Sequence, residues 1–323
     1  MATPVPGTIL TNPNQTADIG SYFVDVLAMR QLGYDKAQPM MRGKGLLVDI
    51  PTAEEAYAIP FPPISLGTTQ TYKDGSNRPG AMKPQVTRIK GTVTKRGITP
   101  LRLFEADRMA NRIPVMTGAI MARGRAERLM EDEQYTTALE AGTNVASQPS
   151  YDEKAFFATD HYIDPVSQTG SQSNLITPKL TADSLGLAKK QVRTWKAENG
   201  HPLFAGFQPE FLLEVPPALE KVAEKICKRT HVAEGGAALE NIEAGTGYFV
   251  NSFLTDDNAW YLHITNAGMA LCYRVQFRPM TRWDLGPDSA LYQQTKGIEI
   301  YADEWTDYRL NAWPLCIKSS GTK

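Results

Sequence analysis

The sequence predicts an α+β subunit, extended and plate-like rather than round, and three observations carry that expectation. The first is a long helical stretch from about Phe104 to Ala141. The second is a 25-residue stretch, Pro60 to Pro84, with five prolines and a turn signal at Asp74-Gly75. The third is a C-terminal third in which strand patterns dominate: TGYFVNSFL, WYLHIT, CYRVQF and then Ile298–Ile317.

The long stretch sets the shape. Met109, Ile113, Met116 and Ile120 step by four, three and four, the spacing of one helical stripe. The other face carries Arg123, Glu127, Arg128, Glu131 and Asp132. Arg123 to Glu127 and Arg128 to Asp132 are i,i+4 pairs, worth about 0.2–0.5 kcal/mol each. That face reads as solvated, the bases of MARGRAER being cancelled by Glu127, Glu131, Asp132 and Glu133. A continuous element would be roughly 55 Å long at about 1.5 Å per residue, with Pro114 expected to kink or split it.

Residues 1–20 read as an extended arm held by a neighbouring chain. SYFVDVLAMRQLGY, residues 21–34, forms a short helix with Gly33 as its stop, and Leu46 to Ile50 alternate as a strand ended by Pro51. The Pro60–Pro84 stretch is then a two-stranded flap, rooted at Ile50 and Val86, that reaches onto a neighbour rather than folding on its own subunit. Its reach is up to roughly 35 Å. Tyr72, Lys73 and Arg78 lie near its tip and are expected to meet Glu131, Asp132 and Glu133 of an adjacent long helix. Arg88 to Thr94 alternate as the strand that follows.

Beyond the long helix, Thr143–Lys179 is polar. A helix follows with Thr181 as N-cap, Leu185, Ala188, Val192 and Trp195 facing the core, and Asn199-Gly200 as its stop. Phe211–Val215 is a strand. Pro216-Pro217 opens a helix whose stripe is Leu219, Val222, Ala223 and Ile226. In CYRVQF, Tyr273, Val275 and Phe277 face away from Arg274, Gln276 and Arg278. Ile298–Ile317 reads as a pair of long strands.

Composition narrows the function. Of 323 residues, 42% are hydrophobic and 21% charged, the balance of a globular protein, and the net charge of −1 supplies no basic field for nucleic acid. Cys227, Cys272 and Cys316 are an odd, widely spaced set that fits a reducing cytoplasm, with no CxxC pair for zinc. No run of 18 apolar residues marks a membrane span, and MATPVPGTILTNPNQ lacks the pattern of a secretory leader, so none is expected to have been removed.

The chemical motifs are weak. Asp152, Glu153, Asp160, His161 and Asp164 cluster within thirteen residues, yet their order matches neither HExxH nor a calcium loop. His161 reads as a hydrogen-bonded loop anchor. No GxSxG elbow is present, and His201, His231 and His263 show no partner spacing. Gly245-Thr246-Gly247 is a bare GxG. No catalytic, cofactor-binding or metal-binding residue is therefore assigned.

Order and spacing nonetheless match a known pattern. The succession of arm, flap and long helix, then Phe156-Phe157-Ala158-Thr159-Asp160-His161, resembles the Mu-like phage major head subunit (the gene-T-product family). Phe211-Leu-Leu-Glu-Val-Pro-Pro-Ala-Leu-Glu-Lys-Val-Ala and the Tyr248–Leu254 and Trp260–Leu262 strands support it, so that the likeness spans most of residues 46–265. The resemblance implies the tailed-phage capsid fold of Hong Kong 97 type. Residues 1–45 would be the N-terminal arm, 46–95 the extended loop with its roots, and 96–207 the peripheral domain with its spine helix at 104–141. Residues 208–295 would be the axial domain, and 296–323 a return to the peripheral domain. It implies a non-enzymatic, self-assembling head shell around double-stranded DNA, part of the virion and built in the host bacterial cytoplasm. The partners would be copies of itself in hexamers and pentamers, with scaffold, portal and decoration proteins, and no membrane. Two alternatives stand beside it: an encapsulin-like compartment shell, and a metal-dependent hydrolase using His161.

Overall fold

The computed structural model describes residues 19–61, 87–104, 113–165, 167–197, 199–229, 231–234, 237–240, 243–285 and 289–322. Its backbone of organisation is a helix pair. Helix α1 spans Ile19–Lys36, and the short α2 spans Met40–Gly43. The long helix α3, Ile113–Glu140, has 28 residues, about 42 Å at 1.5 Å per residue. Pro114 is the second residue of this helix as described, and a first-turn N–H has no intrahelical acceptor to lose, so proline is tolerated there. Phe104, expected to open the helix, instead ends the strand Leu101–Phe104, because Leu-Arg-Leu-Phe alternates with period two: Leu103 is buried and Arg102 and Phe104 are exposed. Met109 lies outside the described residues, while Met116 and Ile120 are buried as expected.

Gly33 is not a stop, since α1 runs three residues past it. It marks the crossing of α1 and α3. A Cβ at Gly33 would lie 2.2 Å from the Met121 carbonyl oxygen, and one at Gly124 would lie 2.0 Å from that of Arg30. Only glycine lets two helical backbones touch in this way. Pro39 offers no side-chain cap to α2; the carboxylate of Asp132 on α3 does so instead, accepting from Met40 N–H at 2.6 Å and Met41 N–H at 3.1 Å.

Two five-stranded sheets complete the frame. The first contains β1 (Leu47–Pro51), β4 (Thr94–Gly97), β5 (Leu101–Phe104) and two 14-residue strands, β12 (Cys272–Leu285) and β13 (Gly297–Leu310). Its order is β1-β12-β13-β4, with β5 on β13 beyond β4. Pro279 inside β12 is tolerated because the register with β13 shifts between Arg278 and Thr281, a bulge where no ladder bond is needed. One face of this sheet packs on α1 and α3 through Val26, Met29, Leu103, Ile120, Ile298 and Ile300. Strands β2 (Ala56–Phe61) and β3 (Thr87–Thr92) pair as a separate two-stranded ribbon, whose base meets Val275 through Tyr57.

The second sheet runs β10-β7-β11-β14-β6: β6 (Leu175–Ile176), β7 (Phe211–Val215), β10 (Gly247–Val250), β11 (Trp260–Ile264) and β14 (Cys316–Ser319). Helix α4, Ala182–Thr194, packs beside it behind a capping box of Thr181 and Ser184, with Leu185, Ala188, Val192 and Trp195 buried. It ends at Thr194, before the expected Asn199-Gly200, because Lys196 and Pro202 pair in a small bridge that turns at Gly200, φ +79°. Pro217–Leu219 form a 3-10 turn into α5, Glu220–Lys228, on which Ala223 and Ile226 are buried. Strands β8 (His231–Glu234) and β9 (Ala237–Glu240) form a hairpin, and α6 (Ala290–Thr295) links β12 to β13.

The last strands do not pair with each other as expected. β13 is central in the first sheet, and β14 sits between β11 and β6 in the second. Asn311 is buried, and residues 313–315 make a 3-10 turn that redirects the chain. Likewise β12, within the 208–295 span, lies beside β13 of the 296–323 span.

Candidate inter-subunit surfaces

The ribbon is anchored at its base. Tyr57 Oη donates to Asp307 Oδ2 at 2.7 Å and accepts from Arg309 Nε at 3.1 Å. Burial and the neighbouring Asp307 carboxylate push the Tyr57 hydroxyl well above its ordinary pKa, so it stays a donor. Gly91 sits opposite Tyr57; a Cβ there would lie 2.3 Å from that hydroxyl. Past Phe61 and Thr87 the sequence continues through residues 62–86, and the expected contact residues Tyr72, Lys73 and Arg78 lie outside the described residues.

The charged face of α3 is not solvated. Arg123, Glu127, Glu131 and Asp132 are all buried, because α1 and the first sheet cover that face and bring partners to it. One Glu127 oxygen accepts from Arg30 Nε at 2.8 Å and Arg123 Nε at 3.2 Å; the other lies 3.0 Å from Arg282 Nε, an ion-pair contact without an aligned hydrogen bond. Arg30 also reaches Asp284 at 2.8 Å. One turn on, Arg42 pairs with both oxygens of Asp49 at 2.9 and 3.0 Å and with Glu131 at 2.9 Å. Arg274 lies against Glu304, with Glu131 and Asp49 each at 3.4 Å. The expected Arg123–Glu127 pair forms. The expected Arg128–Asp132 pair does not: Asp132 caps α2, and Arg128 donates to Tyr34 Oη at 3.1 Å. Burial raises the Asp132 carboxyl above its ordinary value against the pull of those two N–H groups. Of the acidic run assigned to a neighbour's flap, Glu131 and Asp132 are thus committed within the chain, and Glu133 alone is exposed.

A second polar cluster joins α3 to the second sheet. Glu214, wholly buried on β7, accepts from His263 Nε2 at 2.6 Å, Tyr135 Oη at 3.2 Å and Asn251 Nδ2 at 2.6 Å. Asn251 also donates to Thr136 Oγ1 at 2.8 Å. The sequence reading missed this pair. Its one visible signal is the glutamate in an otherwise apolar strand, Phe-Leu-Leu-Glu-Val; nothing local points to a histidine 49 residues away.

His161 is the loop anchor that its setting suggested. Its ring is fully buried, with Nδ1 2.8 Å from Asp152 Oδ2 and Nε2 3.1 and 3.0 Å from Phe156 O and Asn174 Oδ1. Asn174 is fixed in that orientation because its amide nitrogen donates to Phe156, Trp313 and Cys316 carbonyls. The imidazole stacks on Trp313 at 4.5 Å and 6°. Both ring nitrogens are occupied, and the nearby carboxylates turn elsewhere: Asp160 pairs with Lys154 at 2.6 Å, and Asp164 bonds Ser167. Among the described residues no three His, Cys, Asp or Glu side chains gather closely enough to hold a metal, and no helix is long and apolar enough to cross a membrane. Cys227, Cys272 and Cys316 are buried, and burial pushes the Cys227 thiol up to about 11.

Comparison with known proteins places this geometry. The chain has the fold of the mature capsid of bacteriophage PhiM1, with a TM-score of 0.53, 10% identity, and coverage of 87% of this chain and 86% of that one. The bacteriophage JBD30 capsid gives a TM-score of 0.49 at 12% identity over 98% of this chain and 73% of that one. A second JBD30 capsid structure, decorated with minor capsid protein trimers, gives 0.47 at 12% identity over 88% of this chain, which spans only 64% of its length. Among curated proteins none matches the chain. A family model described as phage capsid protein matches residues 102–304, more than half of the sequence. The chain therefore belongs to the phage capsid protein family, as a structural shell subunit and not an enzyme.

Proposed function

We propose that this subunit builds the icosahedral head of a tailed phage of Mu-like type, as hexamers and pentamers enclosing double-stranded DNA without sequence-specific contacts. Scaffold, portal and decoration proteins would be its partners, and the host bacterial cytoplasm its place of assembly. The observation that carries this reading is the β2–β3 ribbon. It is held at its base by Tyr57 and Val275, and 25 further residues extend the chain between its strands. That segment is rich in proline and glycine and has few residues able to build a core, which supports a reach onto a neighbour's surface. Tyr72, Lys73 and Arg78 are its contact residues, with exposed Glu133 as the acidic partner on the neighbour. The near-zero net charge suits a wall that encloses DNA without gripping it. The family match favours a phage head over a protein-filled compartment.

The test is electron microscopy of the purified protein beside a variant in which residues 62–84 are replaced by a tight turn. Wild type should form closed shells or rings, and the variant should remain a folded subunit that cannot close one. Normal shells from the variant would refute the role of the flap. A wild type that stays monomeric at high concentration, with or without scaffold, would refute the shell.

A further inference from the structure

The second sheet has two dissimilar ends. β7 and β10 run parallel and β11 runs against them. The turn 251–258, between β10 and β11, therefore lies at one end, while residues 203–209 before β7 and Ala267 and Met269 after β11 lie at the other.

The turn end is a rigid apolar and acidic tip. Phe253 is 38% exposed, and Asp256 and Asp257 are exposed beside it. The tip is fixed in place: Thr255 N–H and Oγ1 donate to Glu140 Oε1 at 2.6 and 2.9 Å, and Phe253 N–H donates to Asn251 Oδ1 at 3.0 Å. The cation facing it from within the chain is Lys318 on β14, half-buried over the Phe157 and Tyr261 rings.

The other end is an apolar and basic hollow. A cavity of about 180 Å³ is walled by Leu203, Phe204, Phe207, Met269 and Pro314, and it adjoins a second of about 320 Å³ that shares Phe204 and Phe207 and has Arg193 in its wall. Lys190, Arg193 and Lys196, on and just after the last turns of α4, are exposed, and their side chains have no acidic partner among the described residues. Among the described residues, exposed Glu210 is the acid at this end, and Asp183 lies at the far end of α4.

We propose that the 252–258 turn of one copy docks in the Phe204–Phe207 hollow of the next. Phe253 enters the apolar cavity, and Asp256 and Asp257 face Lys190, Arg193 and Lys196. Size, apolar character and charge all match, and both surfaces are held in place before they meet, which lowers the ordering cost of contact. Because tip and hollow lie at opposite ends of one sheet, the contact is head to tail, the type that closes into rings rather than dimers. The inference rests on the shell reading and names one contact within it.

Charge reversal tests it. Two variants, Arg193→Glu with Lys196→Glu and Asp256→Lys with Asp257→Lys, are compared with wild type by native mass spectrometry and electron microscopy; unchanged thermal midpoints certify their fold. Each should need about tenfold more protein than wild type to form rings or shells, since like charges then meet at the contact. Mixed together, the two should alternate and recover even-membered rings but not five-membered ones. The fourfold variant should recover both. Phe253→Ser should weaken assembly without any charge change. If the reversals assemble at the wild-type concentration, or the fourfold variant fails to recover, the contact is overturned while the shell stands. If wild type forms neither rings nor shells, both fall.

Discussion

Two glycines on α3, six residues apart, should respond to alanine with opposite signs. At Gly124 the new Cβ would sit 2.0 Å from the Arg30 carbonyl oxygen and 2.8 Å from the Tyr34 nitrogen, both backbone atoms that cannot rotate away. Relief requires α1 and α3 to separate by more than about 1 Å, an overpacking cost of about 1–3 kcal/mol. That movement also stretches the buried 2.8 Å Arg30–Glu127 bond, and breaking such a pair outright costs about 3–5 kcal/mol. Alanine returns about 1 kcal/mol of helix propensity. With the pair partly weakened, the net loss is about 3 kcal/mol. At Gly118 a Cβ meets nothing within 4 Å, so alanine there should add about 1 kcal/mol. Urea unfolding of the unassembled subunit, followed by tryptophan fluorescence, reads both changes; at a slope of about 3 kcal/mol per M, Gly124→Ala lowers the midpoint by about 1 M. A Gly124→Ala subunit as stable as wild type would refute the account of the helix crossing.

Glu127→Ala leaves Arg30 and Arg123 buried without their shared carboxylate, and should cost about 3–5 kcal/mol in the same assay, nearly unchanged in 1 M salt because the pairs are out of water. His161→Ala removes the contacts to Asp152, Phe156 and Asn174 and the Trp313 stack, a loss of about 2–4 kcal/mol, with faster hydrogen exchange across residues 150–174 and unchanged metal content. For Asp49, burial works against ionisation, but the Arg42 hydrogen bonds and the Arg274 and Arg42 charges outweigh it and hold the carboxyl below its ordinary range. A depressed carboxyl stabilises the fold above its unfolded pKa of about 3.9 and loses that contribution as pH falls through the folded value. Asp49→Asn should therefore flatten the stability profile below about pH 4; an acid limb as steep as wild type would show that Asp49 plays no part in it.

The sequence was most legible where a local pattern had a local cause. The Thr181 cap, the stripe of Leu185, Ala188, Val192 and Trp195, the Phe211–Val215 strand and the loop-anchoring His161 were all visible in short windows, and all are present. The failures share a physical reason. Glu127, Glu131 and Asp132 look like a solvated face because their partners Arg30, Arg42, Arg274 and the Met40 and Met41 N–H groups lie 89 to 143 residues away in sequence. Gly33 looks like a stop because glycine ends helices far more often than it lets two of them touch. Glu214 and His263 meet across a sheet whose strand order no short window reveals.

The division of the last strands bears on how the chain folds. β13 is flanked on both sides in the first sheet, and β14 joins β6 to β11 in the second, so both sheets wait for residues 297–319. Contacts of long sequence separation form late and slowly, and neither sheet can be completed until residues 297–319 have left the ribosome. A chain cut before Gly297 lacks an inner strand of each sheet at once. Such a chain should stay unfolded and open to proteolysis instead of persisting as a near-native subunit. For a lattice of many identical parts this is a safeguard at synthesis, since a truncated copy never reaches the state in which it could be incorporated.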